Sequence, residues 1–203
     1  MNLFSYIFPQ TIVQTSSRYN RDIRVVQENG KKKLLVNGIQ QSGPQVKKFW
    51  DFAFSQLSMP RKVSSILVLG VGGGTVFKKL HQVYPDAVIT GVDIDKHIVD
   101  IAVKYFQIND ELIIADANTY ILNKKKYDLI IVDLYIGRTI PDFESSKRFV
   151  QNLKCVGKAV VFNFLHDGIF QKRAEQLEIA LRKEFTIVEV ADLPYNRFFL
   201  VIK

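Results

Sequence analysis

Three glycines at alternate positions, Gly70, Gly72 and Gly74, follow the apolar run Ile66–Leu69. Three aspartates follow later apolar runs: Asp93 after Ala87–Val92, Asp116 just after Leu112–Ile114, and Asp133 after Tyr127–Val132. Glycines let a backbone come close to a ligand, and a helix opening after them favours electronegative groups. Asp93, 23 residues beyond Gly70, is placed to accept hydrogen bonds from both hydroxyls of a ribose. Asp116, within Ala115-Asp116-Ala117, can accept from an exocyclic amine such as that of adenine, and can equally cap a short helix. Asp133, followed by Leu134 and Tyr135, would point toward a transferred group. The spacing is Gly-x-Gly-x-Gly; a dinucleotide fingerprint would need its third glycine at Thr75. A nucleoside without a pyrophosphate suits this turn better.

These residues need a scaffold, and the pattern supplies one. From about residue 64 strand and helix alternate. Ile66–Leu69 is apolar throughout, the mark of a parallel strand covered on both faces. Helices are expected over Thr75–Tyr84, around Ile98–Tyr105 with Asp95 as cap, over Ala117–Leu122, 145–154 and Phe170–Lys183. Lys158–Phe164 is a further strand, and Phe185–Val190 with Phe198–Ile202 form a terminal pair across Leu193-Pro194-Tyr195-Asn196. Repeating strand–helix units predict an α/β fold with right-handed crossovers. The first 60 residues differ: Asn29-Gly30 predicts a hairpin between Asp22–Gln27 and Lys33–Val36. Gly43-Pro44 then opens a helix with one aromatic face, carrying Phe49, Trp50 and Phe54. The expected organisation is a small N-terminal piece, 1–60, and a larger ligand-binding domain, 61–203.

Composition bounds the function. With 203 residues, 47% hydrophobic and 24% charged, the chain is an ordinary globular one. Its apolar runs are strand-sized, so no membrane span is expected, and Met1–Pro9 lacks the pattern of a signal peptide. One cysteine, Cys155, expected to be buried, makes neither an internal disulfide nor a thiolate metal cluster. His81, His97 and His166 show no metal-ligand spacing, so no metal is expected; His166-Asp167-Gly168 could line a site. A cytoplasmic location is the simplest reading. The net charge of +8 comes from scattered lysine groups such as Lys31–Lys33 and Lys124–Lys126, read as solvated surface. Nucleic acid is therefore not the expected partner.

The glycine turn, Val92-Asp93-Ile94-Asp95, Ala115-Asp116-Ala117 and Tyr127–Asp133, in that order, resemble a class I S-adenosylmethionine-dependent methyltransferase. More narrowly, with Leu34–Gln41 in the N-terminal piece, they resemble the spermidine synthase group within it, from about residue 18 to the end. The resemblance implies a doubly wound, seven-stranded, mostly parallel sheet of Rossmann type with a small N-terminal β-hairpin piece. It implies an adenosyl-sulfonium cofactor, S-adenosylmethionine or its decarboxylated form. Gly70, Gly72, Gly74, Asp93, Asp116 and Ala117 would hold it, with Gln41 at its mouth. Asp133 and Tyr135 would stand nearest the acceptor, a small molecule or a protein; a homodimer is the family expectation. Spermidine synthases carry Asp-x-Ser-Asp-Pro after the fourth strand, and their second aspartate orients and deprotonates the attacking amine. Here the stretch is Asp133-Leu134-Tyr135-Ile136-Gly137, with Ile136 in that place. Gly73 likewise stands where the group carries an Asp, and Phe52, beside Asp51, where its helix offers an acid. A polycation needs several carboxylates to offset its lost hydration. The expectation is therefore a methyltransferase on this scaffold, with Asp51 or Asp133 as the substitute acid if the chain is an aminopropyltransferase. A non-catalytic adenosyl-ligand binder is the remaining reading.

Overall fold

The computed structural model describes residues 8–203 apart from Lys124 and Arg138. The opening segment to Ile7 and Lys124, both read above, thus lie outside the described residues. Among the described residues four antiparallel strands come first: β1 (Gln10–Thr15), β2 (Ile23–Glu28), β3 (Lys31–Val36) and β4 (Ile39–Ser42), in sequential order. The expected hairpin is its centre. Asn29 and Gly30, with φ of 50° and 70°, turn β2 into β3, and Asn37 and Gly38, with φ of 49° and 80°, turn β3 into β4. Strands β1 and β4 extend the piece beyond the two-stranded unit expected. The helix α1 (Pro44–Gln56) follows, with proline in its first turn, where no amide hydrogen is needed.

The remaining chain alternates: β5 (Ser65–Leu69), α2 (Thr75–Val83), β6 (Val88–Asp93), α3 (Lys96–Phe106), β7 (Glu111–Ile114), α4 (Ala117–Tyr120), β8 (Tyr127–Val132), α5 (Lys147–Val156), β9 (Gly157–Leu165) and α6 (Gln171–Glu184). The antiparallel pair β10 (Ile187–Asp192) and β11 (Asn196–Ile202) closes it. Among the described residues the sheet has seven strands, ordered β10-β11-β9-β8-β5-β6-β7, parallel from β9 to β7. From β5 the chain winds outward through β6 and β7, then returns to lay β8 on the other side of β5. That reversal opens a crevice at the carboxyl ends of β5, β6 and β8.

Alternation along each strand feeds two cores. Ile66 and Val68 of β5 join a cluster with α1, α2, α3 and the N-terminal sheet, while Leu67 and Leu69 face α4, α5 and α6. The first cluster is continuous from Ile23 and Leu34 through Trp50 to Phe198, so the N-terminal piece shares its core with the main sheet. Trp50 is wholly buried and meets Phe198 edge-on at 5.3 Å. Cys155, contrary to the expectation, is exposed at the end of α5, because the buried stripe of that helix runs through Phe149, Val150, Leu153 and Val156. Among the described residues no helix is long and apolar enough to cross a membrane.

Candidate active site

The glycine turn is shaped by contact with the fourth parallel-sheet connection. Gly70 has φ of 95°, and a Cβ there would lie 2.1 Å from the Asp133 carbonyl oxygen, so the β5 and β8 ends come together only with glycine. The backbone amides of Gly70 and Asp133 donate to the carbonyls of Val92 and Leu69, both at 2.8 Å, which ties the three strand ends into one rim. Gly73 donates its amide to Ser42 Oγ at 2.6 Å, and a Cβ at Gly73 would lie 2.7 Å from the Ser42 Cβ. The position where the resembling group carries an acid is thus filled from β4.

Asp93 closes β6 and lines a partly open cleft of about 870 Å³, a volume that includes solvent at its mouth. Its Oδ2 accepts from the Val71 amide at 3.0 Å and its Oδ1 from the Asp95 amide at 2.9 Å. Burial holds its pKa above the usual carboxylate range, and these amide bonds oppose the rise. Each oxygen keeps a lone pair. Asp95 caps α3 through the His97 amide at 3.0 Å and accepts from Ser17 Oγ and, at 2.9 Å, from Asn20 Nδ2. Asp116 caps α4, its Oδ1 accepting from the Thr119 amide at 2.8 Å, and still lines the cleft. Gly70, Gly72, Asp93, Asp116, Ala117, Asp133, Tyr135 and Gln41 all line it, together with apolar Ile94, Leu134 and Phe143. Gly74 does not; its φ of 73° starts α2, and Ile108 packs over it.

A second, wider trough of about 1970 Å³, open to solvent, lies beside the first. Gln41, Asp133 and Tyr135 line both, so they form the seam between them. The trough is walled by apolar Leu35, Val46, Phe49 and Phe170 and carries a second acid, Asp167. Gln41 Nε2 donates to the Gly137 carbonyl at 2.9 Å, joining the N-terminal sheet to the loop after β8.

Asp133 is the chemically distinctive group. Burial pushes its pKa up to about 7, tempered by Asn163 and by the nearby Trp50 indole. Asn163 Nδ2 donates to Asp133 Oδ1 at 2.8 Å; the Trp50 Nε1 hydrogen, although close, meets no acceptor in hydrogen-bonding geometry. Tyr135 Oη donates to the Asn163 carbonyl at 3.0 Å and accepts from Asn196 Nδ2 at 3.2 Å. Burial and then the charges of Asp133 and Glu144 raise its pKa well above the ordinary phenol, so it remains a neutral phenol. Glu144, wholly buried in a short 3₁₀ turn (Asp142–Ser145), has neither carboxyl oxygen hydrogen-bonded. Burial, with Asp133 adding to it and Arg173 opposing, lifts its pKa far above the carboxylate range.

The structure thus brings the sequence-predicted site residues Gly70, Gly72, Asp93, Asp116, Ala117, Asp133, Tyr135 and Gln41 to one rim, but neither Gly74 nor Asp51. For Asp51, Lys47 at 2.5 Å and Lys79 at 2.8 Å hold it on the outer side of α1. Asn163, Asn196, Glu144 and Asp167 were not singled out by sequence as acting residues, apart from the segment containing Asp167. Asn163 had a readable signal, a lone amide inside Val160-Val161-Phe162-Asn163-Phe164. Asn196 and Glu144 had none, since their partners come from other elements.

Comparisons with known proteins agree with this geometry. A family profile described as a methyltransferase domain matches residues 66–156. A probable polyamine aminopropyl transferase of Bifidobacterium longum (strain NCC 2705) is 37% identical over 131 residues, covering 59% of this chain and 29% of that protein. This chain therefore spans less than a third of that relative's length. A probable spermidine synthase from Corynebacterium glutamicum superposes with a TM-score of 0.80 at 18% identity, covering 94% of this chain and 79% of that one. Human methyltransferase-like protein 13, solved in complex with SAH, superposes with a TM-score of 0.65 at 20% identity, covering 78% and 82%. The chain has the class I methyltransferase fold and, within it, is similar to the spermidine synthase group.

Proposed function

We propose that this protein transfers an alkyl group from an adenosyl-sulfonium donor to an amine, and that the group is aminopropyl rather than methyl. The observation that carries the reading is Asp133 on the seam of two clefts, a carboxylate whose pKa of about 7 suits proton exchange near neutrality. The relative named as an aminopropyl transferase favours the aminopropyl donor, decarboxylated S-adenosylmethionine, over methyl transfer.

The first cleft fits an adenosyl group. Asp93 offers lone pairs to a ribose diol, Asp116 has Oδ2 without a backbone partner, and Gly70 and Gly72 leave room beside the rim. The donor supplies an activated carbon on a sulfonium, so the protein's work is orientation, water exclusion and removal of one proton. In the trough, Asp133 would take a proton from the acceptor ammonium, whose nitrogen then forms the new C–N bond as the C–S bond breaks. Asp133 and Asp167 give that trough two acids, and its apolar walls suit the methylenes of a diamine. Ile136, in the place of the group's second acid, is the observation that favours methyl transfer instead.

Calorimetric titration with S-adenosylmethionine, its decarboxylated form and methylthioadenosine, followed by product mass spectrometry with 1,4-diaminobutane, tests this. Preference for the decarboxylated donor and a product heavier by one aminopropyl group are expected. Asp133→Asn should lower turnover by about 10²–10⁴-fold. The wild-type rate should fall as pH drops below about 7, where Asp133 gains its proton. Methyl transfer from S-adenosylmethionine, or donor binding without turnover on any amine, would refute the aminopropyl reading.

A further inference from the structure

The acid on the seam is held by a chain of amides with a fixed sense. Asn196 Nδ2 donates to Asn163 Oδ1 at 2.8 Å, and Asn163 Nδ2 donates to Asp133 Oδ1 at 2.8 Å. Both asparagines are buried, at 5% and 8% exposure. Their backbones are fixed by the antiparallel pairing of β9 with β11, where Asn163 stands opposite Phe198 and Asn196 opposite Leu165. Tyr135 closes the network by accepting from Asn196 Nδ2 and donating to the Asn163 carbonyl.

An asparagine amide is a donor on one side and an acceptor on the other. Turning Asn163 over would set its oxygen against the Asp133 carboxylate and its NH₂ against the Asn196 NH₂. Both contacts would then be repulsive in a buried place, where an unmatched polar group is costly. Were Asp133 protonated on Oδ1, it would need an acceptor there, and Asn163 can present one only by turning over. Asn196 blocks that turn.

We infer that Asn163 and Asn196 form a one-way hydrogen-bond lock that holds Asp133 in its proton-accepting form, with Oδ1 occupied and Oδ2 left for the acceptor. Asn163 and Asn196 are positioning residues; they act through Asp133. The inference rests on the reading that Asp133 takes the acceptor's proton. The other titratable or charged groups around Asp133 are Tyr135 on its own loop, Glu144 in the 3₁₀ turn, and Arg173 of α6, which faces Glu144. Asp93 and Asp167 share its two clefts. None of these donates a hydrogen bond to Oδ1, so the lock is a separable influence.

The test follows the Asp133 carboxyl itself. In the full chain labelled with ¹³C at aspartate carboxyls, its resonance is identified by its absence in Asp133→Asn and titrated by NMR. Removing the donor in Asn163→Leu should raise the titration midpoint by about one pH unit. Asn196→Ala leaves Asn163 in place but free to turn, and should move the midpoint in the same direction by a smaller step. That second variant decides the matter alone if the first does not fold. An unchanged or lowered midpoint in Asn196→Ala overturns the lock. Failure of the functional reading looks different: Asp133→Asn would retain turnover while the midpoints still shifted.

Discussion

At the scale of residues, Glu144 and Asp133 show how one buried neighbourhood treats two carboxyls differently. Asp133 receives a hydrogen bond from Asn163 and ionises near neutrality, whereas Glu144 receives none, and burial lifts its pKa well above the ordinary carboxyl range. In the unfolded chain both would ionise near the ordinary carboxyl range of about 4. Between that range and the raised native value the folded state binds more protons than the unfolded one. Folding stability therefore falls as pH rises through that window. Replacing Glu144 with methionine, similar in length and uncharged, removes a buried unpaired carboxyl. Glu144→Met is expected to stabilise the fold by about 1–3 kcal/mol at pH 8, and by less at pH 5. Urea unfolding at the two pH values checks it; a variant less stable than wild type at pH 8 would mean that Glu144 has a partner the fold depends on.

At the scale of elements, the turn from β6 into α3 does two tasks at once. Asp93 faces the cleft, and two residues on Asp95 caps the helix and binds Ser17 and Asn20 of the β1–β2 connection. Asp95 is 2% exposed and Asn20 is 5% exposed, so removing the carboxylate strands a buried amide as well as a helix end. Asp95→Ala should cost about 2–3 kcal/mol, the sum of a lost cap and an unpaired buried donor. It should also weaken donor binding, because losing the side-chain anchors to Ser17, Asn20 and the helix end loosens the turn whose Asp95 backbone amide, kept in the variant, fixes Asp93 Oδ1. Denaturation midpoints and calorimetry on the same variant separate the two effects.

At the scale of the whole molecule, the two sheets share one apolar cluster rather than two. Trp50, the chain's single tryptophan, sits in that cluster between α1 and β11. Its fluorescence therefore reports the junction, while far-UV circular dichroism reports the helices around the main sheet. The two signals should trace one urea transition with one midpoint. An earlier fluorescence transition would mean that the N-terminal sheet and α1 detach first, opening the mouth formed by Gln41 and the loop it holds through Gly137.

Much of this protein was written in its sequence. The apolar runs, the glycine turn and the Asn-Gly pairs set the order of elements. The acids at the ends of β6 and β8 marked the rim, because a strand buried on both faces must be apolar until it leaves the sheet. Local spacing could say that Asp95 and Asp116 would cap helices, since capping is a contact between near neighbours in the chain. It could not say that Asp51 would be drawn outward by Lys47 and Lys79. Nor could it say that Asn163 and Asn196, 33 residues apart, would meet beneath Asp133. Those arrangements depend on the register of β9 against β11 and on how α1 seats on the sheet. Burial and long-range pairing decide which of several similar side chains faces water and which becomes the reactive one, and both exist only once the chain has closed on itself.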